Sequence, residues 1–215
     1  MSKAKSTDLL RKSQSKYTMR SVEIIEASPI TVAGSFTPDL LISKLWLWEE
    51  LGRVMDGLDI DRVHAVYVLG SWTGAVGMVL AAKQFPADTV INVDIDPGWV
   101  RVSRRLARRM GFDDHMQYMI KDANRVDYRQ AQPPSVVINT STNDINGDDW
   151  FTAIPTGTLV VLQGRNQPAE HTPRSWSSLA DFRSDFPMQR TLYQGQLPLR
   201  DPETAYDRYM IIGVV

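Results

Sequence analysis

From residue 39 onward the hydrophobic positions form one long helical group and then a series of short runs. Leu40, Leu41, Leu45, Leu47, Trp48, Leu51, Val54 and Met55 recur at near-helical spacing, with Thr37-Pro38 as a start and Gly57 as a stop. A helix is therefore expected over 39–58. Short runs rich in Val, Ile, Leu and Tyr follow at 65–69, 90–94, 116–120, 135–139 and 158–163. Helical patterns near 74–85, 97–110, 148–153 and 175–183 alternate with most of them. Strands that are apolar along their whole length need cover on both faces, which crossover helices between parallel strands provide. The last runs, 190–196 and 206–215, have no helical segment between them and read as an antiparallel pair. The expected fold class is α/β, a doubly wound seven-stranded sheet with an antiparallel last strand and an N-terminal helical cover.

Within that pattern, Ala65–Ala82 (AVYVLGSWTGAVGMVLAA) followed by Val90–Pro97 (VINVDIDP) carries the clearest chemistry. An apolar strand ends at Gly70, a helix opens beyond Gly74, and the next strand delivers Asp94. Sites for nucleoside-containing cofactors need this order of parts. Glycines let the turn approach the ligand, the helix N-terminus offers free N–H groups, and a carboxylate accepts ribose hydroxyls. Asp94 at the strand end is expected on the ribose, whereas Asp96 is expected to cap the helix that starts at Pro97.

Composition narrows the classes without naming one. The 215 residues are 43% hydrophobic and 23% charged with a net charge of −1, so no general attraction to nucleic acid or anionic membrane is expected. No window approaches the apolar length of a membrane span, and the polar, basic start MSKAKSTDLLRKSQSK lacks a secretory core. Without cysteine there is no disulfide, thiolate nucleophile or thiolate-bound metal, and a cytoplasmic setting is the expectation.

Over residues 60–215 the chain resembles the class I S-adenosylmethionine-dependent methyltransferases, and it also looks like a small bacterial and phage methyltransferase-like subgroup. Gly70, Gly74 and Gly77 resemble the family's first motif, Val93-Asp94-Ile95-Asp96-Pro97 its acidic second-strand end, and Lys121-Asp122-Ala123 its acidic turn after the third strand. Ile138–Thr142 (INTST) and Ile154–Gln163 (IPTGTLVVLQ) carry the likeness to the subgroup, and the closing pair of strands resembles the family's antiparallel addition. The resemblance implies a Rossmann-like fold with S-adenosyl-L-methionine as cofactor, bound by Gly70, Ser71, Trp72, Gly74, Asp94, Ile95, Asp122, Ala123 and Asn139. It divides the chain into a helical extension or lid (1–58) and a cofactor-binding α/β domain (59–215). Two positions depart from the pattern. Val68 stands where the family usually has an acid that anchors the methionine ammonium, and Trp72 stands where it has a second glycine.

The expected activity is that of a transferase moving a methyl group to a small molecule, since the chain has little room for a macromolecule-binding domain. Asn139, Ser141, Tyr17 and His171 are the candidate catalytic side chains, because amides and hydroxyls at the carboxyl end of a buried strand can face a bound ligand. Two alternatives stay open. The missing acid at Val68 would leave the amine free to attack the methionine side chain, or the acceptor to take the aminocarboxypropyl group, with methylthioadenosine released. The protein could instead bind cofactor without catalysis. A nicotinamide-binding fold is the runner-up should the terminal strands fail to reverse. Asp144, Asp148 and Asp149 suit a loop with a helix cap at Asp148 better than a metal site. Arg101, Arg104, Arg105 and Arg108 form a helical stripe that is expected to be a solvated face rather than a nucleic-acid surface. The oligomeric state is not legible.

Overall fold

Val63–Leu69 (VHAVYVL) and Ser135–Asn139 (SVVIN) are buried almost throughout, the mark of strands in the middle of a sheet covered on both sides. The computed structural model describes residues 34–128, 133–168, 172–201 and 204–215. In chain order these form α1 (Pro38–Gly57), β1 (Val63–Leu69), α2 (Ala75–Ala82), β2 (Ala87–Asp94), α3 (Pro97–Met110), β3 (Met116–Ile120) and β4 (Ser135–Asn139). There follow α4 (Asp149–Thr152), β5 (Leu159–Arg165), α5 (Leu179–Asp185), β6 (Arg190–Arg200) and β7 (Ala205–Val214). The strands make one sheet in the order β3-β2-β1-β4-β5-β7-β6. β1 to β5 pair in parallel, and β7 enters antiparallel between β5 and β6. The reversal expected between 190 and 215 is present, and with it the antiparallel last strand.

Two apolar layers cover the sheet. On one side α1 lays Leu45, Trp46 and Leu51, all fully buried, against Val161, Met210 and Ile212. Burial of that kind contributes about 1.5–3 kcal/mol per large side chain. Three polar bonds fix how α1 sits: Trp46 Nε1 donates to Tyr193 Oη at 3.0 Å, Ser43 Oγ to Gln163 Oε1 at 3.0 Å, and Tyr206 Oη to Asp39 Oδ2 at 2.7 Å. On the other side Trp150, Phe151, Trp176, Phe182, Phe186 and Tyr209 form an aromatic cluster of edge-to-face and tilted ring pairs.

The helix expected at 175–183 starts later, at Leu179. Trp176 is drawn into the aromatic cluster with its indole N–H on Asp185, and the Ser178 hydroxyl then caps the helix by accepting from the Asp181 N–H. Asp148 also departs from expectation. It precedes α4 but makes no side-chain cap bond, because its carboxylate pairs with Arg174 at 2.7 Å. Asp96 does cap α3, accepting the Gly98 N–H at 2.6 Å. Among the described residues no helix is long and apolar enough to cross a membrane.

Candidate functional site

Strands that run parallel end together, so β1, β2, β4 and β5 bring their last residues to one edge of the sheet. Gly70 leaves β1 with φ +57°, and a Cβ there would come within 2.7 Å of Ser141 Cβ at the tip of β4. Only glycine combines that backbone with that contact. The Ser141 hydroxyl donates to the Gly70 carbonyl at 3.0 Å, which ties the two strand ends together. Gly74 (φ +77°) turns the chain into α2 and lies against Ser103 of α3, where any side chain would collide.

Trp72 occupies the left-handed region at φ 49°, a costly conformation for a bulky residue. What holds it is Asp94. The Trp72 N–H donates to Asp94 Oδ2 at 2.7 Å, the Asp96 N–H donates to Oδ1 at 3.0 Å, and the Trp72 ring meets Trp99 edge-on at 5.4 Å. A carboxylate oxygen carries two lone pairs, so both Asp94 oxygens keep capacity for further donors.

These parts line a cavity of about 780 Å³. Of the residues expected in a site, the structure brings Gly70, Ser71, Trp72, Asp94, Ile95 and Ser141 together on its wall. Gly74 lies under the turn rather than on the wall. Asp122 starts a 3-10 turn, where its carboxylate accepts from the Asn124 N–H (3.0 Å) and Nδ2 (3.2 Å), with Ala123 buried behind it; neither lines the cavity. Asn139 sits below the cavity floor, fully buried, its Oδ1 accepting the Ser141 N–H at 2.9 Å. Tyr17 and His171 lie outside the described residues. His64 pairs with Asp88 at the opposite edge of the sheet.

Several buried polar atoms here have no hydrogen-bond partner among the described residues: Ser71 Oγ, Thr73 Oγ1 and Asn139 Nδ2. Leaving such atoms bare is costly, and two of them, Ser71 Oγ and Thr73 Oγ1, belong to the turn that lines the cavity. Ile95, next to Asp94 on the cavity wall, is 68% exposed, and Ile120, the partner of Asp94 in the β2–β3 register, is 59% exposed. Among the described residues no group of three or more acidic or histidine side chains could hold a metal ion.

Sequence reasoning missed the far half of the cavity. Ser35, Leu40, Ser43 and Lys44 reach it from the N-terminal segment and α1, Trp99 from α3, Gln163 and Arg165 from β5, and Arg208 from β7. Burial pushes the Lys44 amine down to about 7, assisted by Arg208 and opposed by Asp39. The Arg208 guanidinium is likewise depressed by burial, and the Asp144 carboxyl is raised by it. Arg165 was findable as a charged residue two positions past a buried strand glutamine. Lys44 and Arg208 carried no comparable signal.

The chain matches no protein-family model and no curated protein sequence. Its fold does match solved structures. Geranyl diphosphate C-methyltransferase from Streptomyces coelicolor A3(2), solved with Mg2+, geranyl diphosphate and S-adenosyl-L-homocysteine, is 15% identical, with 77% of this chain and 79% of that one covered at a TM-score of 0.50. The [4+2]-cyclase SpnF is 13% identical over 69% of this chain and 60% of that one, with a TM-score of 0.52. The YcgJ protein of Bacillus subtilis is 10% identical over 76% of this chain and 96% of that one, with a TM-score of 0.53. The sheet order with an inserted antiparallel β7 is that of the class I S-adenosylmethionine-dependent methyltransferase fold.

Proposed function

We propose that the protein is an S-adenosylmethionine-dependent transferase that methylates a small molecule. The observation that carries this reading is the cavity at the carboxyl edge of the sheet, which joins the Gly70 turn and Asp94 to a separate polar half under α1. The residues present fit the cofactor. Asp94 has spare lone pairs for ribose hydroxyls, Ile95 offers an apolar face to a purine, and Ser71 and Thr73 present unsatisfied hydroxyls.

When bound, S-adenosylmethionine supplies an electrophilic methyl carbon on a sulfonium. The chain's own part is then largely positioning, since transfer needs the acceptor lone pair aligned behind that carbon. Ser141 forms a fixed part of the wall between the two halves, because its hydroxyl ties the end of β4 to the end of β1 while Asn139 beneath it holds its N–H. Asp144 lines the same cavity, where partial desolvation of its carboxyl raises its pKa, and it is positioned to take a proton from the acceptor. A volume of about 780 Å³ suits a cofactor with a small acceptor.

A second reading, attack on the methionine side chain, keeps one supporting observation. Val68 is buried and apolar, so no carboxylate rises from that position to hold the cofactor ammonium. Pure protein should be incubated with S-adenosylmethionine alone and then with a cell extract, and the nucleoside product identified by mass spectrometry. S-adenosylhomocysteine that appears only with extract supports methyl transfer. Methylthioadenosine above the non-enzymatic background replaces it with the second reading, and no turnover under any condition leaves a cofactor-binding protein.

A further inference from the structure

β5 and β7 are antiparallel, and their register places Arg165 directly opposite Arg208. Like charges facing each other across a strand pair are destabilising unless something lies between them. Both side chains line the cavity on the α1 side of the sheet, where Lys44 of α1 joins them. Arg208 is only 6% exposed, and its Nε has no hydrogen-bond partner among the described residues.

Two carboxylates stand against these three bases. Asp39 accepts the Tyr206 hydroxyl at 2.7 Å and acts on Lys44, and Asp144 faces both arginines. The two arginines thus share one facing carboxylate, Asp144. Arg208 also meets Tyr206, but a buried guanidinium whose Nε stays unpartnered and whose carboxylate is shared is expensive, and an oxyanion bridging the two opposed forks relieves it.

Position decides whose oxyanion this is. Neighbouring strands lie about 4.8 Å apart, so Arg165 sits about one strand and Arg208 about two strands beyond β4, away from the Gly70 turn and Asp94. The cofactor half lies over β2, β1 and β4; the arginines lie past it. We propose that Lys44, Arg165 and Arg208 form the receptor for a carboxylate or phosphate group carried by the acceptor molecule. This rests on the transferase reading and names the acceptor class: a small anionic compound whose nucleophile is set back from its oxyanion toward β4.

The Lys44 amine, near 7 in the free protein, gains a proton as the anion arrives, so binding takes up protons at neutral pH. The groups acting on it are Asp39 of its own helix and Arg208 of β7; Tyr206 of β7 contacts both of those, and Arg165 of β5 and Asp144 of the loop after β4 line the same cavity.

The test is calorimetry on the full chain, titrating inorganic phosphate and then acetate into protein saturated with S-adenosylhomocysteine, in buffers of different ionisation heat. Phosphate or acetate should bind wild type with proton uptake, and Lys44→Met should abolish the uptake. Arg165→Gln and Arg208→Gln should weaken anion binding by about 10- to 100-fold while S-adenosylhomocysteine affinity changes by less than about threefold. Arg165 is only half-buried, so its variant keeps the test valid should Arg208→Gln fail to fold. Absence of anion binding to wild type, or binding indifferent to both arginines, overturns the proposal. So does a loss of S-adenosylhomocysteine affinity in Arg165→Gln with methylthioadenosine affinity intact, which would assign the arginines to the cofactor's own carboxylate. If S-adenosylhomocysteine fails to bind while phosphate still depends on both arginines, the transferase reading falls and the oxyanion receptor stands.

Discussion

Asp94 Oδ2 accepts the Trp72 N–H at 2.7 Å, so the carboxylate proposed to hold the ribose also holds the turn in front of it. The same side chain therefore serves packing and binding at once. Asp94→Ala should reduce S-adenosylhomocysteine affinity by about 10- to 150-fold, the loss of a charge-assisted bond. It should lower the melting temperature as well, because the Trp72 and Asp96 N–H groups lose their acceptor. Calorimetry with a melting curve separates the two, and wild-type affinity in a folded variant would remove Asp94 from the site.

Trp72 allows the cost of its backbone to be measured. Trp72→Ala and Trp72→Gly both delete the ring and its contact with Trp99, but only glycine relaxes φ 49°. The glycine variant should be more stable than the alanine variant by about 1 kcal/mol in urea unfolding. Equal stabilities would mean that the turn rearranges once the ring is gone.

Lys44 predicts a pH dependence with a definite sign. Its folded value of about 7 lies below the ordinary 10.5, so between those limits the unfolded chain binds more protons and stability rises with pH. The penalty for burying the charged amine is greatest below pH 7. Lys44→Met should thus be more stable than wild type near pH 7, with the difference shrinking toward pH 9.5. Above about pH 10 the stability of both proteins falls with pH, because burial pushes Tyr118, Tyr193 and Tyr206 up to about 12 and the unfolded chain ionises them first. A difference that stays constant from pH 7 to 9.5 would show that the amine is not perturbed.

Ser141 was a candidate for chemistry, yet its hydroxyl is committed to the Gly70 carbonyl. Ser141→Ala should cost about 1 kcal/mol of stability and lower turnover by less than about tenfold. A thousandfold loss with stability intact would place the hydroxyl on the reacting atoms.

The near half of the site was legible because its signals are local. A glycine turn, a strand that ends in acid and a capped helix lie within Ala65–Pro97, and Gly70, Trp72 and Asp94 meet much as their spacing suggests. The alternation of strands and helices likewise revealed the sheet, since a strand buried on both faces cannot disguise its composition. The far half is made by strand order. Lys44 reads as one polar position on an amphipathic helix, and Arg208 as one polar position in a terminal strand. Nothing in either neighbourhood says that β7 lies beside β5 and faces α1, and only that topology sets Arg208 opposite Arg165. The misplaced start of α5 has a similar cause, a tertiary demand on Trp176 that outweighs local helical periodicity.

The place of β7 between β5 and β6 has a consequence for how the chain is made. The ribosome delivers β6 before the strand that joins it to the sheet, so β6 must wait unpaired while the edge of β5 stays open. The same strand brings Arg208, so the far half of the cavity is incomplete in a nascent chain that already carries the Gly70 turn and Asp94. The wall around the Gly70 turn and Asp94 is therefore made earlier in synthesis than the wall around Arg165 and Arg208, which the β6–β7 hairpin closes.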